Sequence, residues 1–335
     1  MKAKKETQFG QFELRTDLAL EERERFPGDG GEVFGVSLEK WENKQEKIRF
    51  TEVKILNQDG AKAMGKPVGT YLTIEADDLS DQDEAYHQEV AEELARQIEK
   101  LAKELLKNQP EYKRESKLMC RVLVAGLGNQ SVTPDALGPR VFQKLEITRH
   151  LTLEYGADFC EKRSLPVLSG IAPGVMAQTG MESAEILKGI IEETAPQLLI
   201  AVDALAARSV KRLGTTIQLT DTGIQPGSGV GNHRNSLTRE SLGIPVIAIG
   251  VPTVVGAAAI VHHTVSAMIR LLASSEGTGG MAEFVEKMDP DGQYQLIREL
   301  LEPEFGPMYV TTPDIDETIQ QLSSIISQGI RQAFL

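Results

Sequence analysis

The spacing of apolar side chains divides the chain into stretches of different rhythm. Residues 1 to about 30 are mostly polar and end in the turn-forming run Pro27-Gly-Asp-Gly-Gly31, which predicts a weakly structured arm. Strand-like pieces follow at Val33–Val36, Ile48–Ile55 and Tyr71–Ile74. The middle one partly alternates apolar and polar residues, as a half-exposed strand does. Val90, Leu94, Ile98, Leu101 and Leu105 then recur at helical spacing, with Ser80 or Asp81 available as a cap and Pro110 as a stop. From Leu118 onward the pattern alternates between strand and helix. Strands are predicted at 119–125, 197–203, 215–219 and 245–251, and helices at 134–147, 180–193, 204–212 and 253–274. Gly277-Thr-Gly-Gly280 breaks the chain before an amphipathic helix over 317–334. The alternation predicts an α/β fold of phosphorylase/hydrolase-like kind: a mainly parallel central sheet flanked by helices, with an additional smaller strand-containing region ahead of it. Sites in such sheets lie at the carboxyl ends of strands.

Composition narrows the function classes. The chain has 335 residues, of which 41% are hydrophobic, enough for a sizeable core. Its net charge is -13, which argues against direct binding to a nucleic-acid backbone. No apolar run approaches a membrane span, and Met1-Lys-Ala-Lys-Lys-Glu has no apolar stretch behind it, so no secretory signal and no membrane partner are expected. The two cysteines, Cys120 and Cys160, form no metal-binding cluster and fit a reduced, cytoplasmic compartment as buried, inert thiols.

Two acidic residues stand at predicted strand ends. Asp135 lies in Gly126-Leu-Gly-Asn-Gln-Ser-Val-Thr-Pro-Asp135, and Asp203 closes Leu198-Leu-Ile-Ala-Val-Asp203. Each has a plain structural reading. Thr133 can cap a helix whose first turn holds Pro134 and Asp135, and Asp203 can cap a helix over 204–212. Taken as a pair they gain another meaning, since two close carboxylates can share a proton, activate a water or hold a metal. The glycine loop is not a dinucleotide fingerprint, because Ser131 replaces its third glycine. The loop Gly223–Gly231 contains no nucleophile elbow, which makes Ser228 a poor nucleophile and the loop a candidate substrate flap. His233 offers a third ligand for a two-aspartate metal site, whereas His262 and His263 lack metallopeptidase spacing and read as core or interface residues.

Several runs together resemble the germination proteases of spore-forming bacteria. They are Gly126–Pro139, Ser169–Glu182, Val202–Ser209, Thr220–Arg234, Val251–Val255 and the N-terminal Arg15-Thr-Asp-Leu-Ala-Leu-Glu21. The resemblance covers nearly the whole chain in order. It implies an endopeptidase, an atypical aspartic peptidase, that degrades small acid-soluble spore proteins during germination in the spore core. It further implies a homotetramer, made as a zymogen that cleaves itself between Asp17 and Leu18, and a core like that of the hydrogenase maturation proteases. On this reading residues 1–17 are a propeptide and 18–335 the peptidase domain. That domain has its core at about 118–275, a strand and helix region at 30–110 and a helical region at 280–335. Asp135 and Asp203 are the catalytic pair; within it a predicted helix N-terminus favours the ionised form of Asp135, which assigns Asp135 as base and Asp203 as the proton-bearing partner. Gly128, Asn129 and Arg234 are candidate oxyanion or substrate contacts, and no cofactor is expected. Two alternatives stay open: a metallopeptidase with Asp135, Asp203 and His233 as ligands, and a spore-protein binding module without catalysis. The metal reading is weakened by Ala136, where the hydrogenase maturation proteases carry an acid. A nucleoside-phosphorylase-type enzyme also fits the sheet pattern but needs stacking aromatics, and aromatics are only 5% of the chain.

Overall fold

The computed structural model describes residues 16–24, 26, 33–44, 47–77, 79, 83–107, 109, 120–227, 234–273 (side chains to 265), 297, 299, 301 and 308–335. Among these residues one sheet collects nine strands: β1 Val36–Asn43, β2 Ile48–Ile55, β3 Gly69–Ala76, β4 Arg121–Gly126, β5 Val167–Ile171, β6 Leu198–Ala207, β7 Thr216–Thr220, β8 Val246–Gly256 and β9 Tyr309–Val310. The spatial order is β1-β2-β3-β7-β8-β6-β4-β5, with β9 beside β8. Pairings β4–β5, β4–β6 and β6–β8 are parallel. Pairings β1–β2, β2–β3, β3–β7, β7–β8 and β8–β9 are antiparallel.

The expectation of a mainly parallel sheet is therefore wrong. The sheet is mixed, and the early strands β1–β3 are its continuation, joined through Tyr71↔Thr220 to Glu75↔Thr216. The cause is the connection after β6. A helix was expected at 204–212, but β6 runs on to Ala207, and only the short 3-10 turn Val210–Arg212 precedes β7. A parallel crossover needs about a dozen residues or more, so β7 enters antiparallel to β8 and presents its other edge to β3. Strand β8 likewise outlasts its predicted end, and the following helix starts at Ala257 rather than at 253.

Two other departures are local. The edge strand β1 lies beyond the predicted Val33–Val36, because its alternating Glu39, Lys40 and Glu42 hide a strand whose Trp41 stacks on Phe50 at 5.2 Å. Strand β5 and the helices Arg149–Tyr155 and Ala157–Lys162 escaped the sequence reading altogether. The long helix is Glu84–Leu106, capped by the Asp83 carboxylate on the N–H groups of Ala85 and Tyr86. Ser80, Asp81, Pro110 and Gly277–Gly280, assigned caps or breaks from the sequence, lie outside the described residues.

One face of the sheet is covered by the helices Glu84–Leu106, Leu137–Lys144 and Ile315–Ala333. Val124, Val202, Ile217, Ile249 and Val251 point into this core, with Leu94, Leu137 and Ile326 facing them. On the other face the helix Ser183–Thr194 covers Leu123, Ala125, Leu199 and Ala201. The alternation along β6 thus sends Val202 to the first core and Asp203 to the second face. Gly329 lets two helices of the first layer close up: a Cβ there would stand 2.9 Å from Leu94 Cδ2 and 3.1 Å from the Ala91 carbonyl oxygen. Gly329→Val should destabilise the fold by about 1–3 kcal/mol through overpacking, measurable as a lower urea midpoint.

Candidate active site

Asp135 is held by the glycine-rich loop that leaves β4. It does not sit in the first turn of an α-helix, as the sequence suggested, but ends a single 3-10 turn, Thr133–Asp135, whose N-cap position is Val132. The α-helix begins two residues later, at Leu137. Its carboxylate turns back to the loop, where Oδ2 accepts the Asn129 backbone N–H at 2.8 Å. Gly128, at φ 109°, lies against the Asp135 carbonyl, and a Cβ on it would also meet Asp135 Oδ1 at 3.0 Å. Gly138 gives the same clearance between the helix start, Leu127 and the Val202 carbonyl. These close approaches bring the β4 loop over β6.

Asp203 does not cap a helix. It stands in mid-strand, paired in register with Gly250 of β8, and is only 4% exposed. Its Oδ1 accepts the N–H of Ala204 at 2.9 Å. Burial raises its pKa well above the ordinary carboxylate range, and the charges of Asp135 and Asp17 push it further the same way. Asp135 is raised too, by burial, but the Asn129 N–H and the Arg234 charge oppose that shift. Both aspartates line one cavity of about 310 Å³, together with Gly128, Arg234 and Asp17.

Asp17 enters this cavity from a segment read as loose. The sequence suggested a weakly structured arm through residue 30, yet Leu18, Ala19, Leu20, Glu21 and Arg23 are buried. Asp17 forms a two-way bridge with the end of β6: its N–H donates to the Ala206 carbonyl, and its Oδ2 accepts the Ala206 N–H at 2.9 Å. Further on, the Glu21 carboxylate accepts the N–H groups of Arg208 at 2.7 Å and Ser209 at 3.0 Å, and also the Thr16 hydroxyl. Arg208 pairs with Glu22 at 2.7 Å, and Arg212 with Glu24 at 2.6 Å and Glu75 at 2.9 Å. Both arginines are largely buried, so these pairs are screened far less than surface ones.

The structure thus brings Asp135, Asp203, Gly128, Arg234 and Asp17 to one cavity and places Asn129 as a donor to Asp135. Leu18 is fully buried beside Leu205. His233 and Ser228 lie outside the described residues. No group of three or more His, Cys, Asp or Glu among the described residues has a geometry that could hold a metal. His262 is buried and His263 exposed, with rings edge-on at 5.8 Å, and both cysteines are free and buried. The sequence reading missed Lys66 and Gln218, whose side chains reach the backbone of Thr16, Asp17 and Ala19. Lys66 carried no motif at all, and the polar Gln218 within an apolar strand was the only signal available.

A family model described as germination protease matches residues 14–280. The chain is 47% identical over 327 residues to a germination protease of Caldanaerobacter subterraneus subsp. tengcongensis, covering 96% of this chain and 94% of that one. It is 39% identical over 322 residues to one of Clostridium tetani, at 96% and 95% coverage. It is 35% identical over 367 residues to one of Priestia megaterium, at 98% and 95%. Among solved structures, a nickel–iron hydrogenase maturation protease of Thermococcus kodakarensis aligns with 40% of this chain and 74% of its own, at 21% identity and a TM-score of 0.24, too low to bear on the fold.

The raised pKa of Asp203 has a consequence for stability. The folded protein keeps this proton at pH values where an unfolded-chain aspartate has ionised, so the folded state binds more protons. Stability therefore falls as pH rises from the unfolded pKa, about 3.9, through the folded one. Asp203→Asn removes that loss. The variant should melt above the parent at neutral pH, with the difference shrinking toward pH ~4, and each tenfold displacement of the protonation equilibrium is worth about 1.4 kcal/mol. Melting curves for both proteins across this range check it.

Proposed function

The chain belongs to the germination protease family, and on that premise we propose that Asp135 and Asp203 are the catalytic pair of this endopeptidase of spore germination. The observation that carries this reading is the cavity they share, in which Asp17 is the third carboxylate.

The chemistry follows from the environments. Two carboxylates in one low-dielectric cavity do not ionise together easily, and the pair titrates as a unit. Asp203, buried in the strand, has the stronger upward push and is the partner that bears the proton. Asp135 has the Asn129 N–H and the Arg234 charge beside its anion and is the base. The helix dipole, on which the sequence argument for this assignment leaned, is replaced by that single N–H, and the assignment stays the same. Asp135 takes a proton from water as the oxygen attacks the peptide carbonyl, and Asp203 gives its proton to the departing amine. Arg234 balances the charge of the pair, and the Gly128 backbone shapes the cavity wall.

Asp17 lines the same cavity, which supports the reading that the zymogen opens between Asp17 and Leu18, with residues 1–17 as the propeptide of the peptidase 18–335. The substrates in trans are small acid-soluble spore proteins, met in the forespore and spore core, and the working assembly is a homotetramer. Asp135→Asn and Asp203→Asn in the full-length chain should each lower both self-cleavage and cleavage of an added spore protein by about 10²–10⁴-fold while the fold is retained. Mass spectrometry of the chain and gel analysis of the substrate read the two reactions. Parental rates in either folded variant refute the pairing.

A further inference from the structure

The carbonyl of the peptide between Asp17 and Leu18 is gripped by two side chains from outside the aspartate pair. The Asp17 carbonyl oxygen accepts from Lys66 Nζ at 3.1 Å and from Gln218 Nε2 at 3.1 Å. Gln218 is oriented by a second bond. Its Oε1 accepts the Ala19 N–H at 2.7 Å, and since that N–H can only donate, the Nε2 end must face Asp17. Lys66 also donates to the Thr16 carbonyl at 3.3 Å.

The sheet explains why these groups flank one peptide. Asp203, Gly250 and Gln218 stand in one row across β6, β8 and β7. Their chain neighbours Val202, Ile249, Val251, Ile217 and Leu219 all point into the opposite core, so Asp203 and Gln218 rise on the same face. Two inter-strand spacings, roughly 10 Å, separate their backbones, and Gly250 between them carries no side chain. The Leu205 side chain lies over Gly250, and beside it Asp17 links the two outer strands, bonded to Ala206 of β6 and to Gln218 of β7. Asp17 and Leu205 line both the cavity of the aspartates and a second one of about 340 Å³ that holds Lys66 and Gln218.

We propose that Lys66 and Gln218 are catalytic residues of this peptidase, forming the cradle that polarises the scissile carbonyl and holds the oxyanion. This rests on the reading of Asp135 and Asp203 as the water-activating pair and of Asp17–Leu18 as the bond cut. Water oxygen bonds to the Asp17 carbonyl carbon while its proton passes to Asp135. The carbonyl electrons move onto the oxygen held by Lys66 and Gln218. The carbon–nitrogen bond then breaks, the electron pair and the Asp203 proton go to the Leu18 nitrogen, and the new acid at Asp17 passes its remaining proton to Asp203 while the proton on Asp135 goes to the freed amine, which leaves a carboxylate and an ammonium and restores the pair. The cradle relieves Asp203 of polarising the carbonyl, so its proton is kept for the amine. Burial lowers the pKa of Lys66 while the charge of Asp17 opposes that shift, a setting in which a donor to a developing anion is worth more than in water. The Asn129 N–H, considered for this role from the sequence, is taken up by Asp135.

The test uses the full-length chain and follows Asp17–Leu18 cleavage by mass spectrometry, with hydrogen exchange of residues 18–24 reporting whether the segment is docked. Lys66→Met removes the ammonium and keeps the stem. Gln218→Glu removes the donor to Asp17 and keeps the acceptor for Ala19. Each should slow cleavage by about 10²–10³-fold with protection of 18–24 unchanged. Lys66→Cys treated with bromoethylamine, which rebuilds the amine, should regain the rate, since Cys120 and Cys160 are buried. A parental rate in either folded variant overturns the cradle. So does a loss of rate matched by a loss of protection, which would make both residues anchors only. Should Lys66→Met fail to fold, Gln218→Glu decides. Asp203→Asn is run alongside: if it is inert while Lys66→Met cleaves at the parental rate, the cradle alone falls, and if it cleaves normally the aspartate pair falls.

Discussion

A carboxylic acid buried in the middle of a continuous β-strand is the constraint around which this molecule is arranged. Asp203 has an apolar core behind its strand and a crowded face in front, and its carboxylate accepts the backbone N–H of the next residue. A charged carboxylate in that position is expensive, and burial accordingly pushes its pKa up. The neighbouring Asp135 has an N–H aimed at its carboxylate, which opposes the same push. Glycines in the β4 loop and at the helix start allow the approach, because side chains there would collide with backbone. The chemistry of the pair is thus a consequence of packing.

The segment from Thr16 to Glu24 answers the same constraint from the outside. It closes the open side of the cavity as a bound peptide would, with backbone bonds to Ala206, side-chain bonds from Lys66 and Gln218, and carboxylates seated on Arg208, Arg212 and the N–H groups of 208 and 209. Apolar burial of Leu18 and Ala19 adds a sequence-tolerant term of roughly 25 cal/mol for each Å² removed from water. On the proposed reading the segment that contacts the cavity is also the first substrate, so the zymogen needs no separate inhibitor.

How much of this was legible beforehand differs by element. Strand β2 and the Glu84–Leu106 helix carry long, one-sided periodic patterns and were found at nearly their true bounds. Asp135 and Asp203 were identified from short motifs, although both local explanations offered for them, a helix first turn and a helix cap, proved wrong in the structure. The helix at 204–212 failed because Ala204-Leu-Ala-Ala207 satisfies helix propensity equally well, and pairing with β8 overrides it. The mixed sheet was missed because strand direction depends on which edge a distant strand finds, and no periodicity records that.

The sequence by itself determined the chemistry on offer: two aspartates in family-specific runs, an N-terminal peptide ending in Asp17-Leu18-Ala-Leu-Glu21, and a net acidic chain without a membrane-length apolar run. Those depend on residue identity and short-range order. Only the tertiary structure decided that Gln218 and Lys66, 152 positions apart in number (218 minus 66), converge on one carbonyl oxygen, and that Leu18, Ala19, Leu20 and Glu21 of the supposedly loose arm are buried. The physical reason is that such convergence is fixed by strand register: Gln218 lies on β7, and Lys66 lies in the turn just ahead of β3, the strand that pairs with β7. Register is settled by the whole sheet folding together, so the local pattern around either residue carries no trace of its partner.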